Sequence, residues 1–170
     1  MGYNDRMLVV HDAIQSGLSM SQAIVEAYLG GLSDSELLIR PLPACNHIAW
    51  QLGHCIMSEN GLIERVLPGR VGPVSAKIGP AHRRTAAPSD DSADFLDKDE
   101  YLDLMRSTRS KTLEILASLS DEELARPVEG KLPPGVKTVA DAFIFVGVHW
   151  LMHAGQWAVI RRRLGRPPLV

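Results

Sequence analysis

The chain has 170 residues, 45% of them hydrophobic, and a formal net charge of −2. That length suits one domain with a buried core, and that apolar content excludes intrinsic disorder. A charge so close to neutral offers nothing to draw the chain to nucleic acid or to an anionic membrane surface.

The first predicted helix runs from about Asn4 to Leu29, with Met7, Leu8, Ile14, Leu18, Ala23 and Ile24 at loose helical spacing and Gly30-Gly31 as its stop. The polar start (Asn4, Asp5, Arg6) does not read as a signal peptide, and no apolar run approaches the roughly 20 residues of a membrane span. A short turn and the segment Leu32 to Pro41 follow. The second helix is expected from about Asn46, as N-cap, through His47, Trp50, His54 and Met57 to Leu67, with Pro68-Gly69 ending it. Cys45 and Cys55 are too few and too far apart for a CxxC pair, so both are read as reduced thiols of a cytoplasmic protein.

From Pro68 to Asp97 the chain loses periodicity and carries Pro73, Pro80, Pro88 and the basic patch His82-Arg83-Arg84. A connection this long is a functional loop or a crossover; it either covers the pocket, with Arg83 and Arg84 binding a substrate carboxylate, or is a flexible surface loop. The third helix starts at Asp97, with Glu100 three residues on, and runs to about Leu119; the fourth starts at Thr138, with Asp141 in the same relation, and runs to Leu164 before Gly165. No strand pair is expected. The fold class is therefore all-α, one domain over residues 1–170.

Leu32-Ser33-Asp34-Ser35-Glu36-Leu37 is echoed by Leu119-Ser120-Asp121-Glu122-Glu123-Leu124, with Arg40-Pro41 and Arg126-Pro127 just after. Each segment leads into a helix that contains a histidine. This pattern fits two halves related by a rough twofold axis, or a common short-helix opening used twice by chance.

His149 and His153 stand four positions apart, on one face of a helix and one turn from each other, so both imidazoles can reach one ion. Gln156 shares that face and can orient a ligand or bond a coordinated water. A third ligand has to come from elsewhere. In the second helix His47, Gln51, His54 and Ser58 form a polar stripe. Facing solvent, such a stripe is ordinary; facing the core, its imidazoles need partners, and a metal is one. An HxxxH pair alone is common on helices that bind nothing. His11 and His82 read as surface histidines, His47 as a cap or part of the pocket mouth, Trp50, Trp150 and Trp157 as packing, and Arg161-Arg162-Arg163 as complements to the helix C-terminus.

Two segments carry a family resemblance. Asn46-His47-Ile48-Ala49-Trp50-Gln51-Leu52-Gly53-His54 resembles the second-helix signature of the DinB-like superfamily, and His149-Trp150-Leu151-Met152-His153-Ala154-Gly155-Gln156 is similar to its second signature, a histidine pair followed by a small residue, Gly and Gln. Their order and separation match along nearly the whole chain. The resemblance implies a four-helix bundle with a long crossover between the second and third helices, and a three-histidine metal site at His54, His149 and His153. Ser58, four residues after His54, is a poor ligand where a fourth might have stood, which leaves an open coordination position. Members of the family often bind zinc or nickel and are often homodimers, and some use a low-molecular-weight thiol in transfer or isomerisation.

The expected function is metal-dependent hydrolysis of a small-molecule substrate, or transfer of a small thiol to an electrophile. No catalytic residue is assigned; Glu59 qualifies as a general base only if it turns inward. The alternative is a non-catalytic metal-binding bundle with a stress-related or interaction role, and turnover assays separate the two. A homodimer through apolar positions of the first and third helices is expected, with no nucleic-acid or membrane partner.

Overall fold

Apolar side chains recurring every three to four residues build four long helices, which pack in a ring. The computed structural model describes residues 3–85, 88–167 and 169. Its helices are α1 (Tyr3–Leu29), α2 (Asp34–Leu37), α3 (Ile48–Val66), α4 (Lys98–Ala117), α5 (Asp121–Ala125) and α6 (Val139–Arg163), with single 3₁₀ turns at Pro80–His82 and Ser92–Asp94. Among the described residues there is no strand, only an isolated bridge between Pro127 and Thr138. α1 packs on α6 and α4, and α3 packs on α4 and α6. Helices α1 and α3 are therefore diagonal, and the long crossover joins the neighbours α3 and α4. This is the expected four-helix arrangement.

The buried side of α1 is Ile14, Leu18, Ser21, Val25 and Leu29. Ala23, assigned to that side from the sequence, is exposed, and the side chains of Met7 and Leu8 lie outside the described residues. α1 stops where Gly31 takes φ 71°, a left-handed conformation that glycine adopts without strain. The buried Arg161 of α6 donates from Nη1 to the carbonyls of Tyr28 and Gly30 at that stop. Arg161 thus serves the C-terminus of α1 rather than that of its own helix.

Both echo segments are short helices with the same N-terminal device. Ser33 and Glu36 form one capping box, and Ser120 and Glu123 form the other. Each half of the chain thus runs long helix, short capped helix, long helix. Thr138 and Asp141 also form a complete box, whereas Asp97 caps α4 and Glu100 is drawn off to Lys77 instead, Nζ to Oε1 2.6 Å.

The N-cap of α3 is His47, not Asn46. The Nδ1 of His47 accepts from the Trp50 N–H at 3.1 Å, and its Nε2–H donates to the Ser89 carbonyl at 3.0 Å. Only the neutral tautomer protonated at Nε2 can do both. The ring is fully buried, with desolvation pushing its pKa down, so His47 ties the crossover to the start of α3 and takes no part in the histidine cluster.

The crossover is packed rather than loose. His82, expected at the surface, is fully buried. Its Nδ1–H donates to the Gly79 carbonyl, and its Nε2 accepts from the Tyr101 hydroxyl of α4 at 2.6 Å. The ring lies flat on Gly53, where a Cβ would stand 2.0 Å from His82 Cδ2. Glycine is needed there because another segment occupies the space of a side chain. His11, also expected at the surface, is part-buried, its Nε2 2.9 Å from the Leu119 carbonyl.

By length and composition α6 could cross a membrane, which the sequence reading did not anticipate. Here one side of it (Val139, Phe143, Val146, Trp150, Trp157, Ile160) is core. Its outer side exposes Ile144, Val148, Leu151 and Met152, the first three of which share a shallow groove with Met20 of α1. Among the described residues the large exposed hydrophobic side chains on the long helices belong to α1 and α6, and α4 exposes none.

Candidate metal centre

Packing α3 against α6 brings His54 to His149 and His153. One nitrogen from each lies within 4.8 Å of the others. The rings meet edge to face, with centroids 5.3 Å apart for His54–His149, 5.3 Å for His54–His153 and 4.8 Å for His149–His153. The Nε2 atoms of His149 and His153 are 3.2 Å apart. Two imidazoles bound at about 2.0–2.1 Å to one tetrahedral ion stand about 3.3 Å apart, so this pair already has the required separation.

Each ring is held from behind. Trp50 stacks on His54 at 4.8 Å, and Phe145 stacks on His149 at 5.8 Å. Both supporting rings sit four residues before their histidine, which places them one turn back on the same face. That spacing is visible in the sequence, but spacing alone does not separate a ring that supports a histidine from ordinary core packing.

His153 is oriented by hydrogen bonds. The indole N–H of Trp157, which can only donate, gives its proton to Gln51 Oε1 at 2.8 Å. The Gln51 amide nitrogen donates to the Asn46 carbonyl at 2.6 Å and to Gln156 Oε1 at 3.1 Å. With the amide so fixed, Oε1 accepts from His153 Nδ1–H at 3.0 Å. The bare lone pair of His153 is then on Nε2, which faces the other two rings. Gln51 therefore positions His153, and Gln156, exposed and bonded to Gln51, supports that contact rather than reaching the cluster. Replacing Gln51 by leucine should lower zinc affinity about 10- to 100-fold, the usual cost of losing an outer partner of a histidine ligand, with the helix signal in circular dichroism unchanged. Unaltered affinity would contradict this role.

Burial, together with the charge of His149, pushes the pKa values of His54 and His153 down to about 4, and Arg84 adds to the effect at His54. His149 is also lowered by desolvation, against an opposing pull from Glu59. The three imidazoles are thus neutral at physiological pH, the state in which imidazole binds metals.

Glu59 does turn inward, but it is not free to act as a base. Arg109 donates Nε to Oε1 and Nη2 to Oε2, both at 2.9 Å; Thr112 donates to Oε1 at 2.8 Å and Trp150 Nε1 to Oε2 at 2.7 Å. Four donors fill the four lone-pair positions of the carboxylate. Its work is to join α3, α4 and α6 beside His149.

An open cavity of about 930 Å³ begins at His54 and His149 and has Ser58, Leu62 and Phe145 in its walls. Among the described residues no fourth His, Cys, Asp or Glu joins the three nitrogens. His54, His149 and His153 would suit a borderline-soft divalent ion, and the cavity opens beside two of them.

The profile of the DinB superfamily matches residues 18–157, most of the chain. The chain belongs to the DinB superfamily. Solved structures agree on the fold. A conserved protein from Enterococcus faecalis is 15% identical, with a TM-score of 0.68 over 91% of this chain and 97% of its own. YfiT from Bacillus subtilis, described as a probable metal-dependent hydrolase with an unusual four-helix bundle topology, is 18% identical, with a TM-score of 0.66 over 92% of this chain and 89% of its own. At such identities the likeness shows the architecture only. No curated protein matches the chain by sequence.

Proposed function

We propose that this DinB-superfamily protein holds one divalent transition ion, zinc or nickel, at His54, His149 and His153, and uses it either to hydrolyse a small substrate or to transfer a low-molecular-weight thiol. The observation that carries the reading is the convergence of three neutral imidazoles within 4.8 Å beside an open cavity. Bound there, the ion would supply Lewis acidity, polarising a substrate carbonyl or activating water or a thiol. The chain's own contribution is orientation. Trp50, Phe145 and Gln51 fix the three rings, and the cavity walls confine the substrate beside them. The description of YfiT as a probable metal-dependent hydrolase supports the hydrolytic branch.

The free Cys45 and Cys55 fit the cytoplasm. A homodimer would use the outer face of α1 and α6, where Met20, Ile144, Val148 and Leu151 are exposed. The test of function is turnover by untagged protein against activated esters and against electrophiles offered with a small thiol. Activity should require added zinc or nickel, stop with chelator, and be absent from His149→Ala. Stoichiometric metal binding with no turnover in either panel would favour the non-catalytic bundle.

A further inference from the structure

The chain is slightly acidic, and six of its described lysines and arginines pair with a carboxylate. Arg40 pairs with Asp90, Lys77 with Glu100, Arg106 with Glu26, Arg109 with Glu59, Lys111 with Glu114 and Arg166 with Glu36. The cations that line the cavity beside the histidines are not among these six. Arg65 of α3, Arg84 of the crossover and Lys131 of the α5–α6 connection all line it, all are exposed, and none has a carboxylate partner among the described residues. The one acid in the wall, Glu59, is consumed by Arg109, Thr112 and Trp150.

The three cations come from separate segments, and the fold holds two of those segments in place. The buried His82, seated on Gly53, pins the crossover two residues before Arg84, and the Arg84 charge acts on His54. Arg65 Nη1 donates to the Lys131 carbonyl at 2.7 Å, which ties the end of α3 to the connection that carries Lys131. Arg83, next to Arg84 in sequence, is not in the cavity wall. Much of the rest of the wall is apolar, with Met57, Leu62, Leu132, Phe145 and Val146. Three like charges around one concavity repel each other unless an anion enters, and a half-apolar wall favours a ligand with a hydrophobic body.

We propose that this cavity takes a small molecule with an oxyanion group, a carboxylate or a phosphate, held by Arg65, Arg84 and Lys131, with its apolar body against Leu62 and Phe145. The proposal rests on reading the cavity as the substrate site, and it narrows the substrate class: the anion sits at the cation rim and the reactive bond lies towards the histidines.

Calorimetry with 4-phenylbutyrate, its neutral amide 4-phenylbutyramide, and phenyl phosphate tests it, on the full chain with and without zinc. The zinc-free arm isolates the cations from any direct bond to the metal. There the acid should bind about 10-fold more tightly than the amide, and the gap should shrink as salt rises. A tighter phenyl phosphate than phenylbutyrate would assign a doubly charged anion; the reverse would assign a carboxylate. Arg84→Gln should cut the preference about threefold, and the combined Arg65→Gln, Arg84→Gln and Lys131→Gln protein should abolish it, while Arg83→Gln should leave it intact. Equal affinity for acid and amide, or an unchanged preference in the combined variant, would overturn the proposal. Zinc titration of the same samples keeps the two readings apart: anion preference without zinc binding defeats the metal reading alone, and zinc binding without anion preference defeats this one alone.

Discussion

Replacing His149 or His54 by alanine should reduce bound zinc from about one per chain to near zero, with an affinity loss of about 100-fold or more for one ligand in three. Far-ultraviolet circular dichroism should barely change, because the three rings are only half-buried and the core between α1, α3, α4 and α6 does not depend on them. Metal stoichiometry that survives both substitutions would remove these residues as ligands. Acidity tests the same site. An imidazole in an unfolded chain titrates near 6.5, whereas His54 and His153 are pushed down to about 4 in the fold. Between those values the unfolded chain binds more protons than the native one, so the stability of the metal-free protein should fall as pH drops through that window and be independent of these residues above it. Zinc affinity should hold near pH 6, where imidazoles titrating at about 6.5 would already be mostly protonated.

Arg109→Ala should be the most destabilising single change, by about 3–5 kcal/mol. Arg109 and Glu59 are 2% and 1% exposed in their side chains, so removal of the guanidinium leaves a buried carboxylate with only Thr112 and Trp150. It also takes away the donors to the Leu18 carbonyl and the Ser21 hydroxyl on α1. At about 2–4 °C per kcal/mol for a chain of this size, the melting temperature should fall by roughly 10 °C. Arg106→Ala is the control. Its partner Glu26 is 29% exposed and Arg106 itself 50%, so its loss should cost under about 1 kcal/mol. Thermal unfolding of the two variants measures the contrast; equal shifts would contradict the role assigned to the buried pair. Glu59 holds Trp150, the residue after His149, so Arg109→Ala should also weaken zinc binding.

What the sequence discloses and what it conceals separate along one physical line. Features set by near neighbours in the chain were legible. The four-residue spacing of His149 and His153, the caps Asp97 and Thr138 and the stop at Gly31 follow from helix geometry alone. The place of His54 beside the pair came through a polar stripe and a family signature. Features that depend on distant partners were not legible. Nothing in Gly53 announces that His82, 29 positions on by numbering, lies on it. Glu59 meets Arg109 across 50 positions, and only that meeting turns a candidate base into a structural ion pair. Asn46 looked the better cap by propensity, yet His47 won because the Ser89 carbonyl fixes its tautomer. Gln156 was placed on the correct face of α6, but Gln51 stands between it and His153.

X-ray absorption at the zinc edge of untagged, zinc-loaded protein tests the central claim most directly. The account predicts one zinc per chain with three imidazole nitrogens at about 2.0–2.1 Å and at least one light-atom exogenous ligand, the imidazole signal collapsing in His149→Ala. A spectrum with fewer than three imidazoles, with sulfur from Cys45 or Cys55, or unchanged in the variant would contradict it.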